Sequence, residues 1–404
     1  MRTKRGWTLQ SARRWIKRNL VFKGSRTSGS LMKFAFTLIK YFPFGGLQRD
    51  FIRIAEACLK RGHVVDVFTP YWQGEVPAGL NVTVLKLKAL SNHKRRLALS
   101  REVCRRTRDN RYDAIVGFSK MPGLDFYYAA DSCFAERVET KPFWYPYTER
   151  CRSYLLLEQT VFAPQAATQI MLLTEKDRET YQRYYQTPSE RFHVLPPGIA
   201  RDRLAPADTS AIRRQLRAEL KIDAETYVVL MVGSGFRTKG TDRAMRAVAA
   251  LSAPLRNNAI LIIIGKDNFR PFRRLARRLG IEHQILFFHG RDDIPRFLFS
   301  ADMLLHPAYR ENTGTVLIEA MAARLPVLAS DVCGYADYIA KADAGQLVPS
   351  PFDQGTLNRM LAEMLQDVAQ RGRWGANGGR YVTQNDVFSM PEKVADIIEV
   401  AAPC

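Results

Sequence analysis

Short apolar runs of strand length recur along the chain, at Lys33 to Ile39, His63 to Thr69, Val82 to Leu87, Ala114 to Phe118, Phe126 to Ala130, Gln169 to Leu173 and Phe192 to Leu195. Between the first two lies a glycine turn, Gly45-Gly46, and a helix from Leu47 to Arg61 that Gly62 ends. Strand, glycine turn, helix, strand is the grammar of a parallel sheet wound on both faces.

The same grammar restarts after Pro196-Pro197-Gly198, which interrupts regular structure and opens a polar stretch to Lys221 that reads as a hinge. Tyr227 to Val232 is a strand, Gly233 to Gly240 a glycine-rich loop, and a helix then runs to Ala250. Further strands are expected at Ile260 to Ile264, Ile285 to Phe288, Met303 to Leu305 and Pro326 to Ala329, with a basic helix at Phe269 to Leu279. The pattern predicts an α/β protein of two Rossmann-like, doubly wound domains, 32–195 and 199–385, facing a cleft. A last helix falls within about 388–404, and periodicity does not say which domain it joins.

At 404 residues and 46% hydrophobic content the chain has enough apolar material for two cores. A formal charge of +21 adds an anionic partner: nucleic acid, anionic lipid or a phosphorylated substrate. Charge does not say which, and no nucleic-acid motif is present. The cysteines show no zinc-type spacing and read as thiols of a reducing compartment. No apolar run has the roughly 20 residues of a membrane span, and the N-terminus lacks a secretory core, so a cytosolic or membrane-surface location is expected.

Residues 1–31 are basic and contain no acid. Leu9, Ala12, Ile16 and Leu20 share one helical face and Arg13, Arg14, Lys17 and Arg18 the other, the pattern of an interfacial helix on anionic lipid. A disordered tail, or sequence upstream of a true start at Met32, fits the same residues. Between Phe134 and Phe162, aromatic and basic residues interleave as on a lipid-contacting surface, diluted by Glu136, Glu139, Glu149 and Glu158.

The chemistry centres on His306 to Ala320, where Glu311 and Glu319 flank Thr313-Gly314-Thr315. A helix starting there turns the N–H groups of Gly314, Thr315 and Val316, at the positive end of its dipole, toward an anion such as a diphosphate. Arg237 and Lys239, after the Tyr227 to Val232 strand, are placed to neutralise a leaving diphosphate. Lys239 precedes the final glycine of its loop, so the loop is not that of a phosphate-loop NTPase, and Gly45-Gly46 lacks the dinucleotide spacing. Arg291 lies in a loop of a type that packs on a nucleobase, and Asp131 follows a strand end, either in a site or as a helix cap.

The glutamate pair, together with Lys40 to Asp50 (KYFPFGGLQRD), Gly117 to Asp125 (GFSKMPGLD), Leu195 to Ile199 (LPPGI), Gly233 to Gly240 and Val332 to Tyr335 (VCGY), resembles glycosyltransferase family 4. The likeness is to its lipopolysaccharide-core glucosyltransferases and runs from about Met32 to near the C-terminus.

That resemblance implies the two-domain GT-B fold with the last helix returning to the first domain. It also implies a UDP-glucose donor, a lipopolysaccharide inner-core heptose acceptor, retention of anomeric configuration, no essential metal, and attachment to the inner face of the cytoplasmic membrane. The chain has no D-x-D. By position, Gly45 and Gly46 border the donor phosphate, Asp131 the sugar and acceptor, and Arg237 and Lys239 the diphosphate. Thr315 and Val316 give backbone N–H groups, Glu311 contacts the sugar and Glu319 the ribose. The chain departs from the family pattern at Thr238, which stands where an arginine precedes the lysine, and between the glutamates (RENTGT), which leaves the donor sugar open. A non-catalytic basic module for membrane or nucleic acid is the reading from a different class.

Overall fold

The computed structural model describes residues 31–43, 45–108 and 112–402. The interfacial helix expected over Leu9 to Leu20 lies outside them. Contacts divide the described residues into two units: one runs to Phe42, from Phe51 to Val194 and from Glu392 onward, and the other joins Pro43–Asp50 to Leu195–Pro391.

The first unit holds β1 (Lys33–Thr37), β2 (Val64–Thr69), β3 (Leu80–Val84), β4 (Ala114–Gly117), β5 (Phe126–Ala129), β6 (Gln169–Leu172) and β7 (Phe192–Val194). All pair in parallel, in the order β3-β2-β1-β4-β5-β6-β7. The chain builds outward from β1 to one side and then crosses to build the other, so the order reverses between β1 and β4. Successive residues Phe34, Ala35 and Phe36 are all fully buried, which a strand achieves only when helices cover both faces of its sheet. Phe51, from the helix Gly46–Lys60, meets Phe36 at 6.2 Å and Phe118 at 5.0 Å. Each such ring, taken out of water, contributes about 1.5–3 kcal/mol.

The helix Met390–Ala401 completes this unit through Arg61, whose guanidinium reaches Asp396 at 2.8 Å and Glu399 at 2.9 Å. His63 adds a 2.6 Å contact to the same Glu399.

The second unit holds β8 (Tyr227–Val232), β9 (Ala259–Ile264), β10 (Ile285–Phe288), β11 (Met303–His306), β12 (Val327–Ser330) and β13 (Gly345–Val348). These also pair in parallel, in the order β10-β9-β8-β11-β12-β13, and the reversal falls between β8 and β11. In open parallel sheets that reversal leaves a crevice beyond the carboxyl ends of the two strands, where ligands bind.

Three local expectations are corrected. The strand placed at Val82 to Leu87 is shifted to Leu80–Val84, because pairing with β2 sets its register from Val65↔Leu80 to Thr69↔Val84. The short edge strand β13 carries too few apolar residues to stand out from its surroundings. The polar stretch to Lys221 is no linker, since it contains the helix Thr209–Glu219, whose Arg213 and Arg217 hold Asp302 at 2.6 and 2.8 Å. Asp302 also accepts the N–H of Val228 at 2.7 Å, tying that helix to the start of β8.

Removing one partner of a largely buried ion pair leaves the other uncompensated. Asp302→Ala is therefore expected to cost about 3 kcal/mol or more of unfolding free energy, with Arg213 and Arg217 left facing each other. Urea titration of the two proteins measures it.

Candidate active site

The loops that follow β8 and β11 face the reversal of the second sheet, and the sequence forces them together. Gly240, at φ +77°, lies so close to β11's extension that a Cβ would strike the carbonyl of Pro307. The N–H of Tyr309 donates to the carbonyl of Thr238 at 2.9 Å, and Arg243 donates to the carbonyls of Pro307 and Ala308 at 3.3 and 3.0 Å. A third loop fixes the other flank: Gly334 N–H donates to Glu311 O at 3.3 Å and Tyr335 N–H to Thr313 O at 2.7 Å.

Within this frame the Lys239 ammonium donates to the Glu311 carboxylate. His306 Nε2 lies 3.1 Å from the same carboxylate oxygen. The His306 ring is 1% exposed, and its Nδ1 has no partner among the described residues. Burial alone pushes the Glu311 carboxyl upward, but the His306 hydrogen bond and the Lys239 charge outweigh it and bring the group down to about 2.

Three residues on, Gly314 adopts φ +85° and starts the helix Thr315–Ala322 without a side-chain cap or an acid in its first turn. The left-handed conformation favours glycine, and it aims the helix start along the same loop as Glu311. Glu319 lies on that helix and is not a surface residue: its side chain is 4% exposed, 3.4 Å from Arg203 Nε and 3.3 Å from Arg49 Nη1. Arg49 belongs to Pro43–Asp50, the segment counted with the second unit, as do Gly45 and Gly46. Gly45 is buried, whereas a Cβ at Gly46 would meet nothing within 4 Å, so packing does not require glycine there.

Of the residues singled out from sequence, Lys239, Glu311, Gly314, Thr315 and Val316 thus share one loop frame, with Glu319 further along the helix. Arg237 is exposed, and its side chain has no hydrogen bond or ion pair among the described residues. Arg291 follows the outermost strand, β10, and donates to Asp293 at 2.6 and 2.7 Å, a partner that the sequence reading did not name.

Asp131 is exposed, after β5 in the first unit, and does not cap the next helix. The cap of Phe134–Glu139 is Glu158, which accepts the N–H groups of Phe134 and Ala135 at 2.8 and 2.9 Å. Glu158 is 0% exposed and paired with Lys120, so it dilutes no surface charge, contrary to the sequence reading. Lys120 donates to Ser132 O at 3.1 Å and the Tyr181 hydroxyl to Asp131 O at 3.0 Å, so the backbone carrying Asp131 is held from beneath.

Sequence reasoning missed His306, Arg203, Arg49, Lys120 and Glu158. For His306 the signal was its place as the last residue of an apolar strand run, and for Glu158 its place between Leu157 and Val161 on a buried helix face.

Two family models cover most of the chain: Glycosyltransferase Family 4 over residues 44–203 and Glycosyl transferases group 1 over residues 212–380. The lipopolysaccharide glucosyltransferase WaaG of Escherichia coli K12 is 44% identical over 365 residues, 90% of this chain and 98% of that protein. The chain belongs to glycosyltransferase family 4. The crystal structure of WaaG, described as a glycosyltransferase involved in lipopolysaccharide biosynthesis, superposes with a TM-score of 0.88 at 43% identity, covering 90% of this chain and 99% of that one. Anabaena HepE in complex with UDP-glucose has a TM-score of 0.71 at 19% identity, covering 91% of this chain and 100% of that one, a likeness of fold alone. The family-4 assignment makes this glycosyltransferase a GT-B protein, its two parallel sheets being the two halves of that fold.

Because Glu311 is ionised more readily in the folded chain than at its ordinary value of 4.5, its carboxylate stabilises the fold above that pH and ceases to as pH falls toward about 2. The stability difference between the wild type and Glu311→Gln is expected to be constant above pH 4.5 and to shrink below it. Unfolding titrations at stepped pH measure the difference.

Proposed function

We propose that this glycosyltransferase moves glucose from UDP-glucose to an inner-core heptose of lipopolysaccharide, with retention, at the inner face of the cytoplasmic membrane. The observation that carries the donor chemistry is the meeting of Lys239, Glu311 and the Gly314 helix start at the strand-order reversal of the second sheet. The acceptor class is supported by the 44% identity to WaaG over nearly its full length.

In this reading the diphosphate settles at the start of the helix Thr315–Ala322, where the N–H groups of Thr315 and Val316 meet charge as it develops. Lys239 turns from Glu311 to the departing phosphate, and Arg237 closes over it from the exposed side of the loop. Released from Lys239, Glu311 remains hydrogen-bonded to His306 and accepts from the sugar hydroxyls. Glu319, fixed by Arg203 and Arg49, accepts from the ribose hydroxyls. The acceptor hydroxyl attacks the anomeric carbon on the face the diphosphate leaves, its proton passing to a departing phosphate oxygen, and no covalent glycosyl-enzyme is invoked. Charge on the leaving group is met by these cations and N–H dipoles, so we infer that no metal ion is essential.

The first unit supplies the acceptor side, with Asp131 as the contact to the acceptor. Its segment Phe143, Trp144 and Tyr147 is 88%, 54% and 72% exposed and flanked by Lys141, Arg150 and Arg152, which suits the headgroup layer of an anionic membrane. No described helix is long and apolar enough to cross a membrane.

Transfer assays with UDP-, GDP- and ADP-sugars on a heptose-terminated core acceptor test this directly. UDP-glucose is expected to be preferred and a chelator to leave turnover unchanged, whereas preference for a GDP-sugar would sink the donor assignment. Lys239→Ala and Glu311→Ala are each expected to lower kcat/KM about a hundredfold or more with the fold intact, read by circular dichroism.

A further inference from the structure

The pairing of β1 and β2 does not stop where the strands end. Tyr41 N–H donates to Tyr71 O at 2.9 Å and Gln73 N–H to Tyr41 O at 3.2 Å, with a parallel bridge between Tyr41 and Trp72. This extension lies beyond the carboxyl ends of β1 and β2, beside the place where the strand order of the first sheet reverses.

Aromatic rings crowd it. Tyr41 and Trp72 stack at 3.9 Å and 21°, and both reach Phe51 of the core, at 6.1 and 6.2 Å. Their anchoring is structural. Tyr71 is different: it is 44% exposed, and its hydroxyl donates to the Gln73 carbonyl oxygen at 3.3 Å on the surface. The exposed Lys40 holds its ammonium 4.8 Å from the Tyr71 ring and 5.1 Å from the Phe42 ring. Cation–π attraction of this kind restrains where the ammonium sits.

A part-exposed tyrosine ring, a surface amide and a restrained ammonium, on backbone locked by sheet pairing, suit a sugar with an anionic group nearby. The apolar C–H face of a pyranose packs on an aromatic ring, hydroxyls pair with amide and phenol, and the ammonium takes a carboxylate or phosphate on the same or next sugar. We propose that Tyr71, Gln73 and Lys40, seated on the Tyr41–Trp72 stack, form an acceptor subsite for a sugar carrying a nearby anionic group. The inference rests on the reading of this chain as a lipopolysaccharide-directed transferase and names what the first unit recognises in that acceptor.

Saturation-transfer NMR on the full chain, without donor, reads the subsite by itself. The probes are a methyl heptoside, its phosphate ester, and the heptoside linked to a sugar carboxylic acid. Saturation is expected on all three and stronger on the anionic pair; whichever of the two is favoured identifies the anion. In transfer assays Tyr71→Ala is expected to raise the acceptor KM about three- to tenfold. Lys40→Gln should remove the advantage of the anionic probes and its salt dependence. Both residues are exposed, so neither change threatens the fold, and donor hydrolysis without acceptor should match the wild type.

Acceptor KM values within about twofold of wild type in both variants, with normal donor hydrolysis, would overturn the subsite. A wild-type chain that transfers sugar from no nucleotide sugar to a heptose-terminated acceptor would instead overturn the function proposed above. The NMR probes would still report the platform in that case, and absence of saturation from all three would end it.

Discussion

A lysine and a glutamate held largely out of water each need a counter-charge. Lys239 is 21% exposed and Glu311 10%, and each supplies the charge the other lacks. Around this pair the second sheet arranges its loops: Gly240 permits the close approach, Gly314 turns the chain into a helix, and the segment at Cys333 pins Glu311 from behind. The pair costs desolvation, and packed apolar residues of the same volume would serve the fold as well or better. The pair lies beside the Gly314 helix start, which has no side-chain cap.

The first unit spends its buried charges differently. Lys120, Glu158 and Tyr181 direct their hydrogen bonds to the backbone from Asp131 to Ala135, and Tyr185 adds a fourth group at 2.7 Å to Glu158. Most of that network is buried. It fixes the path of a loop whose one exposed carboxylate, Asp131, is left to face solvent. In the second unit the ion pair lies in the loops around the strand-order reversal; in the first the ions hold the backbone of a single loop.

How much of this was legible in the sequence follows the range of each force. Apolar strands and the glycines ending helices are local signals, so the doubly wound grammar of both halves could be read, and the glutamate pair around Gly314 marked a helix start correctly. Register is not local: β3 moved because its partner β2 decides where it pairs. Burial of charge is less local still. Lys120 and Glu158 are separated by 38 positions and Arg203 and Glu319 by 116, and a polar residue shows in sequence as polar whether or not the fold encloses it. The pairing of Arg291 with Asp293 was hidden for the same reason, since the two meet only once the loop has its shape.

Net charge deserves the same scrutiny as any other sequence signal. A formal +21 suggests anion binding, yet several arginines are spent on carbonyl oxygens at helix ends, which lack partners inside the helix. Arg191 donates to Val161 and Ala163 at the end of Glu149–Phe162, and burial lowers it to about 10. Arg371 does the same for Met364 and Leu365 in Gln354–Gln366, and Arg256 for Ala249 after Thr241–Ala249. Arg213 serves Ser300 and Ala301. A guanidinium fixed on carbonyls has few N–H groups to turn toward a phosphate, and moving it would unsatisfy a helix end. Among the described residues the Lys239 ammonium pairs with a carboxylate and no carbonyl, so a change of partner there leaves the backbone hydrogen bonds intact. Composition could therefore suggest an anionic partner but could not say which cations the fold itself consumes.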